Sequence, residues 1–257
     1  MVKVYATTDT YDYTFPETAL AYMLRYPNPF STHVLSTDTI SRSYDPVMQR
    51  LTTVRLHLKK SKLPPAVLRL LPGGALRSSG DGAKDGQTRA YILEKSVVDV
   101  KEGVMETESR NLDWTGVLSV VEQQTYRRIS IPVQDALGAS RGATDVLTTV
   151  TLHSHVGEAI RKKRAKWSTT FSSAVDDPTI TSSEGEETEE DAKPGFLRSW
   201  TTSSIQRSIE LIGLRRAEGS QPKAKEGMKV VLERLRRGGL VAVMEGMRRD
   251  REELMMP

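Results

Sequence analysis

Apolar residues recur at every second position over several stretches of this chain. Between 51 and 60, Val54, Leu56 and Leu58 alternate with Thr53, Arg55 and His57, and between 144 and 156, Val146, Val150 and Leu152 alternate with Thr149, Thr151 and His153. A period of two belongs to a strand with one apolar face and one wet face. The same pattern predicts strands over 34–42, 51–60, 89–100, 104–112, 117–128 and 144–156, and the opening residues 1–9 alternate in the same way. Connections such as Lys101-Glu102-Gly103 are short, so antiparallel meander pairing is the economical topology and the fold class is α+β.

Two stretches change period. Thr14-Phe15-Pro16-Glu17 is a capping box with proline at the first helical position; Leu20, Met23 and Leu24 then share one face until Pro27 stops the helix. Met228, Val231, Leu232 and Leu235 fall at i, i+3, i+4 and i+7, which predicts an amphipathic helix over 223–237 ended by Gly238-Gly239. Just before it stands Gly219-Ser220-Gln221-Pro222; proline inside a helix costs about 3 kcal/mol, so a kink or break is expected near Pro222. Between two strands, Leu63-Pro64-Pro65 opens a short helix closed by Pro72-Gly73-Gly74. Its Leu63, Val67, Leu68, Leu70 and Leu71 exceed what one buried face of so short an element can hide. It is either a helix capping the core or a lid over an apolar ligand.

Residues 75–88 are rich in Gly and Ser and read as a mobile surface loop. Residues 161–204 swing from a basic run through a Ser/Thr tract to Glu184-Gly185-Glu186-Glu187, too polar to offset the entropy of ordering, and their middle is expected to be disordered. The chain is thus read as one domain over 1–237, interrupted by these two segments, with a tail from 238 to 257. At 37% hydrophobic residues it can form a core, and no apolar run reaches the eighteen or so residues of a spanning helix. The opening carries acid and lacks both a secretory apolar block and an Arg-rich amphipathic pattern, so no cleaved address is expected. With no cysteine, folding is independent of redox compartment. The net charge of +4 is concentrated late, with eleven Lys/Arg against five Glu between Arg207 and Arg249.

The constellations of common enzymes are missing: no Gly-rich phosphate loop, no Gly-x-Ser-x-Gly elbow, no His-Glu-x-x-His. A non-enzymatic protein without cofactor is expected. His153 and His155 have the spacing of a metal pair on one strand face but no convincing third ligand, and are read as strand polar positions. What remains is a set of cations near element ends, among them Arg25, His33, Lys59, Lys60, Lys62, Arg215, Arg216, Lys223 and Lys225. Each is either a solvated surface charge or part of an anion site; Arg25, beside the Pro27 helix stop, is the candidate to project inward.

The segment from Arg25-Tyr26-Pro27-Asn28-Pro29 through Asp38-Thr39-Ile40-Ser41-Arg42, together with Lys59-Lys60-Ser61-Lys62-Leu63-Pro64, Arg110-Asn111-Leu112-Asp113-Trp114-Thr115-Gly116 and Lys225-Glu226-Gly227-Met228, resembles the PRELI-like family. The likeness covers 1–157 and again 207–237, and its wording is nearer the phosphatidic-acid branch. It implies a curved antiparallel sheet wrapped around a long C-terminal helix, with the lid over an apolar lipid tunnel. It implies transfer of phosphatidic acid between mitochondrial membranes across the intermembrane space, peripheral contact with anionic membranes, and a small twin Cys-x9-Cys protein as heterodimer partner. By the same resemblance, the phosphate-contacting residues are Arg25 deep in the tunnel, His33 near it, and Lys60, Lys62, Arg216 and Lys223 around the entrance. The alternative is a peripheral membrane-docking or anion-binding module that extracts no lipid. With aromatics at 6% and no RNA-recognition signature, a nucleic-acid partner is not expected.

Overall fold

The computed structural model describes residues 2–62, 87–129, 142–155 and 202–255. Seven strands, β1 (Val2–Tyr11), β2 (Val34–Asp45), β3 (Arg50–Lys62), β4 (Gln87–Asp99), β5 (Val104–Asn111), β6 (Leu118–Ile129) and β7 (Ala143–Ser154), form one curved antiparallel sheet in the order β1-β7-β6-β5-β4-β3-β2. Apart from β1, which closes onto β7, each strand lies beside its neighbour in sequence, as the antiparallel meander predicts. Helix α1 (Phe15–Met23) carries the expected capping box, with Glu17 accepting from the Thr14 amide at 2.8 Å. Its buried face differs from the expectation. Phe15, Thr18, Ala19, Ala21 and Tyr22 are buried while Leu20 is exposed and Met23 and Leu24 lie half-buried, because the helix is short and its flank meets both β6–β7 and the C-terminal helix.

The core joins α1, the concave side of the sheet and helix α2 (Thr202–Met255) through Phe15, Tyr22, Met105, Tyr126, Val146, Met228, Val231 and Leu232. The i, i+3, i+4 stripe of α2 is therefore the buried one. One expectation about α2 is corrected, while its stop at Gly238-Gly239 is found as expected. The helix runs through Pro222 without a break: the proline lacks the amide that would reach back to residue 218, but the stripe of Met228, Val231 and Leu232 packs on the core and this packing overrides the local cost. The real bend is at Gly238 (φ −149°) and Gly239 (φ 62°, ψ −153°), the latter a conformation open essentially to glycine alone. The tail is then helical through Met255, and Val243 enters the core. The last residues of the charged insertion, 202–204, are already helical; the remainder of the insertion, residues 63–74 and most of 75–88 lie outside the described residues.

The second arm of α2, residues 240–255, docks on the first through Arg234, whose Nη1 and Nη2 donate to Asp250 at 2.6 and 3.0 Å. Gly246 makes room for this: a Cβ there would stand 2.5 Å from the Arg234 guanidinium. Gly246→Val is expected to break the pair and to destabilise by about 1–3 kcal/mol, read from urea denaturation. An unchanged midpoint would mean that the arm is not seated this way in solution.

Candidate functional site

After α1 the chain turns through a cis Tyr26–Pro27 peptide into 28–31 before β2 begins. Asn28, 2% exposed, holds this turn: its Nδ2 donates to the Arg25 carbonyl at 2.5 Å and to Ser31 Oγ at 3.1 Å, and its Oδ1 accepts from the Phe30 amide at 2.8 Å. Helix α2 packs directly on it, for a Cβ on Gly227 would lie 2.8 Å from Asn28 Oδ1. The Lys225-Glu226-Gly227-Met228 motif thus acts by permitting close approach, while Lys225 Nζ reaches Asp9 of β1 at 2.5 Å. The Arg110–Gly116 motif is a turn device too. Asn111 Nδ2 donates to the Asp113 and Leu118 carbonyls at 2.6 and 2.9 Å, and Asp113 accepts from the Tyr91 amide at 2.6 Å.

The turn aims Arg25 inward, as expected, but not at empty apolar space. Its Nη2 donates to Glu94 of β4, its Nη1 donates to the Tyr22 carbonyl at 3.2 Å, and its guanidinium lies 3.6 Å from the Tyr22 ring centre. Glu94, 1% exposed, also accepts from Arg55 Nε at 2.9 Å, and its Oε2 lies 3.2 Å from His57 Nε2. Arg55 Nη1 in turn donates to the Met23 carbonyl at 2.8 Å. Both arginines therefore cap the C-terminal carbonyls of α1 as well as binding Glu94.

Arg55 and His57 correct the reading of β3. The alternation was read as apolar in and polar out, yet Thr53, Arg55 and His57 are buried and Val54, Leu56 and Leu58 are half-buried on the other side. The concave side here houses charges rather than close-packed methyls. Glu94 lies directly opposite Arg55 in the β3–β4 register, and neither was singled out from sequence. On β7 the expected face is the buried one, with Val146, Val150 and Leu152 at 2–4% exposure.

The electrostatics follow from this packing. Burial alone would raise the Glu94 pKa, but Arg25, His57 and Arg55 hold the carboxyl well below its usual range. Burial works against the Arg25 cation, and Glu94 together with Tyr22, Tyr26 and Tyr126 more than offsets it. His57 is pulled down, chiefly by burial, and is neutral near pH 7. Two guanidiniums, one carboxylate and a neutral imidazole leave one positive charge over.

Two spaces adjoin this cluster, and Tyr26 lines both. The inner one, about 60 Å³, is lined by Arg25, Tyr22, Asn28, Tyr126, Lys225 and Met228 among others. The outer one, about 850 Å³, lies between the start of β2 and the second arm of α2, with Arg55, His33 and Lys60 on one side and Met247, Leu254 and Met255 on the other. That volume is of the size that ligand cavities occupy.

The expected entrance residues gather only in part. The Lys60 amide donates to the His33 carbonyl at 2.7 Å, fixing both at the outer chamber. His33 keeps part of its ring in water; desolvation of the rest, then Lys59 and Lys223, draw its imidazole down to about 4. Lys223 therefore belongs to this cluster. Arg216 is exposed on α2 two turns earlier, and Lys62 ends β3 opposite Gln87, its side chain outside the described residues along with the expected lid residues Leu63, Val67, Leu68, Leu70 and Leu71. His153 and His155 lie with ring centres 4.1 Å apart, tilted by 47°, at the end of β7, and among the described residues no group of three His, Cys, Asp or Glu side chains could ligate a metal.

A curved antiparallel sheet packed on a helix, with a buried cation cluster under it, defines an α+β domain. The PRELI-like family model matches residues 17–166, more than half of the chain, and the chain belongs to that family. The chain is similar to Protein UPS1, mitochondrial, of Saccharomyces cerevisiae, with 39% identity over 127 residues covering 49% of this chain and 65% of that protein. PRELI domain-containing protein 1, mitochondrial, of Homo sapiens is 30% identical over 126 residues, covering 49% of this chain and 52% of its own. The match thus spans between half and two thirds of these relatives' own length. Among solved structures, the Zhui aromatase/cyclase covers 93% of this chain and 98% of its own at 10% identity and a TM-score of 0.43, a likeness too slight to argue from.

The charge cluster predicts acid sensitivity. His33, His57 and Glu94 all have folded pKa values below their ordinary ones, so the unfolded chain binds more protons and stability rises with pH. The histidine contributions are complete above about 6.5 and that of His33 is lost as pH falls to about 4; Glu94 follows at lower pH. Urea midpoints are expected to fall steadily from pH 7 to 4.5, and His33→Asn to flatten part of that slope. A flat wild-type profile would contradict the assigned cluster.

Proposed function

We propose that the protein is a lipid carrier that lifts one phospholipid with a phosphate headgroup, phosphatidic acid foremost, out of one membrane and delivers it to another. The observation that carries this reading is the unbalanced positive charge of Arg25, Arg55 and Glu94, buried between two cavities, in a chain of the PRELI-like family. Two acyl chains carry about thirty methylenes, and at about 0.8 kcal/mol each their exposure to water costs about 24 kcal/mol. Free diffusion of such a lipid is closed, and an enclosed apolar chamber removes the barrier. The phosphate enters such a chamber only against a charge-assisted partner, the role of Arg25.

In this reading Arg25 meets the phosphate, His33, Lys60, Lys62, Arg216 and Lys223 guide it at the entrance, and Leu63, Val67, Leu68, Leu70 and Leu71 form the lid. Relatives named as mitochondrial proteins support a mitochondrial location; in this reading the protein works between the mitochondrial membranes, in the intermembrane space. Basic residues near the entrance contribute about 1 kcal/mol each toward an anionic leaflet, weak enough for release. No covalent step is involved, so no catalytic residue is assigned.

Purified protein is expected to move phosphatidic acid between vesicles without ATP or metal, and native mass spectrometry to show one bound lipid. Arg25→Glu is expected to lose at least 90% of transfer, by order of magnitude, while vesicle docking persists. Equal transfer of phosphatidylcholine would overturn the headgroup assignment, and a protein that docks but never holds lipid would be the peripheral module instead.

The partner reading is tested separately. A small twin Cys-x9-Cys protein, co-expressed, is expected to raise soluble yield and form a one-to-one complex, since a partner that binds only the folded state stabilises it by mass action. Size-exclusion elution unchanged by the partner would refute it.

A further inference from the structure

Arg25 and Arg55 do not face the same space: Arg25 lines the inner cavity and Arg55 the outer chamber, and Glu94 binds one with each of its oxygens. A carboxylate buried in this way is costly, and a simple anion receptor has no use for it, because it cancels charge that would otherwise attract the ligand. It does have a use where the ligand must leave again. We propose that Glu94 is a release counter-ion, a positioning residue that competes with the bound phosphate for Arg25 and keeps the lipid exchangeable.

This rests on the carrier reading above. Arg25 uses Nη2 on Glu94 and Nη1 on the Tyr22 carbonyl, and a guanidinium has five N–H groups, so it can meet a phosphate without first leaving its partners. The incoming anion then shares the cation with Glu94, and Arg55 and His57 remain on the carboxylate to hold it in place. At delivery nothing has to be neutralised or refolded, for Arg25 falls back on a carboxylate already within reach. Without Glu94, the site would carry two uncompensated guanidiniums; without Arg55, Glu94 would cancel Arg25 and leave no net attraction.

Net charge therefore predicts an ordering. Phosphatidic acid retention, measured as the half-time of release from preloaded protein into acceptor vesicles, is expected to lengthen about tenfold or more in Glu94→Gln, since a charge-assisted contact is no longer contested. The overall transfer rate falls in the same variant because release becomes limiting. Arg55→Gln is expected to shorten retention by a similar factor. Adding Glu94→Gln to Arg55→Gln is expected to restore retention severalfold above the Arg55→Gln variant. That rescue is the decisive readout: a merely structural Glu94 would make the double variant worse than either single one. It also covers the case in which Glu94→Gln alone unfolds, since the double variant removes one charge of each sign; thermal melts accompany each protein.

Retention that shortens in Glu94→Gln, or a double variant no better than Arg55→Gln, overturns the proposal. A wild type that holds no phospholipid overturns both this inference and the carrier reading, whereas a wild type that carries lipid with retention indifferent to the series overturns this inference alone.

Discussion

Everything near the site depends on one buried carboxylate. Glu94 is 1% exposed and ties together the end of α1, the middle of β3 and the middle of β4. Removing a charge from water costs several kcal/mol even after relaxation, so Glu94 is tolerable only because two guanidiniums and an imidazole surround it. The guanidiniums are tolerable for the matching reason, with the added acceptors of the Tyr22 and Met23 carbonyls that α1 leaves unused at its C-terminus. The helix end, the two arginines and the carboxylate form one mutually dependent unit, and the absence of any one would strand the others.

That unit dictates how the backbone runs. To bring Arg25 under the sheet, α1 must stop at once, and the chain must reverse within the few residues that Asn28 staples together. To close over the reversal, α2 must come nearer than a side chain at residue 227 allows. A sheet position, a helix stop, a turn asparagine and a glycine some two hundred residues apart in the chain thus answer to a single electrostatic constraint.

Period and punctuation made the frame legible. The strands, the capping box at Thr14, the stop at Pro27 and the buried stripe of Met228, Val231 and Leu232 follow from local rules that tertiary contacts reinforce. The inward aim of Arg25 was legible because a proline-stopped helix limits where it can point. Arg55 and Glu94 were not, since alternation fixes that two faces differ but not which is buried, and the usual guess places charge outside. Only the register across β3 and β4, joined by a long connection with no turn signal to set it, brings the two together. Pro222 misled because its cost is local, and the packing of Met228, Val231 and Leu232 on the core outweighs it.

The concave face is not an oily surface throughout. Thr53, Ser96, Thr107, Gln124 and Thr148 lie opposite one another on successive strands from β3 to β7, a polar band beside the apolar core of Val98, Met105, Tyr126 and Val146. Apolar lining for the outer chamber comes from two sides, Met23, Pro27, Val34 and Leu35 on one and Met247, Leu254 and Met255 of the folded-back arm of α2 on the other. That arm is placed by the bend at Gly238 and Gly239, by Val243 in the core and by the Arg234–Asp250 pair. The width of the chamber therefore depends on the helix elbow as well as on the sheet. The sheet supplies the charge site as a rigid floor, and the arm supplies the wall that a different angle at Gly239 would move.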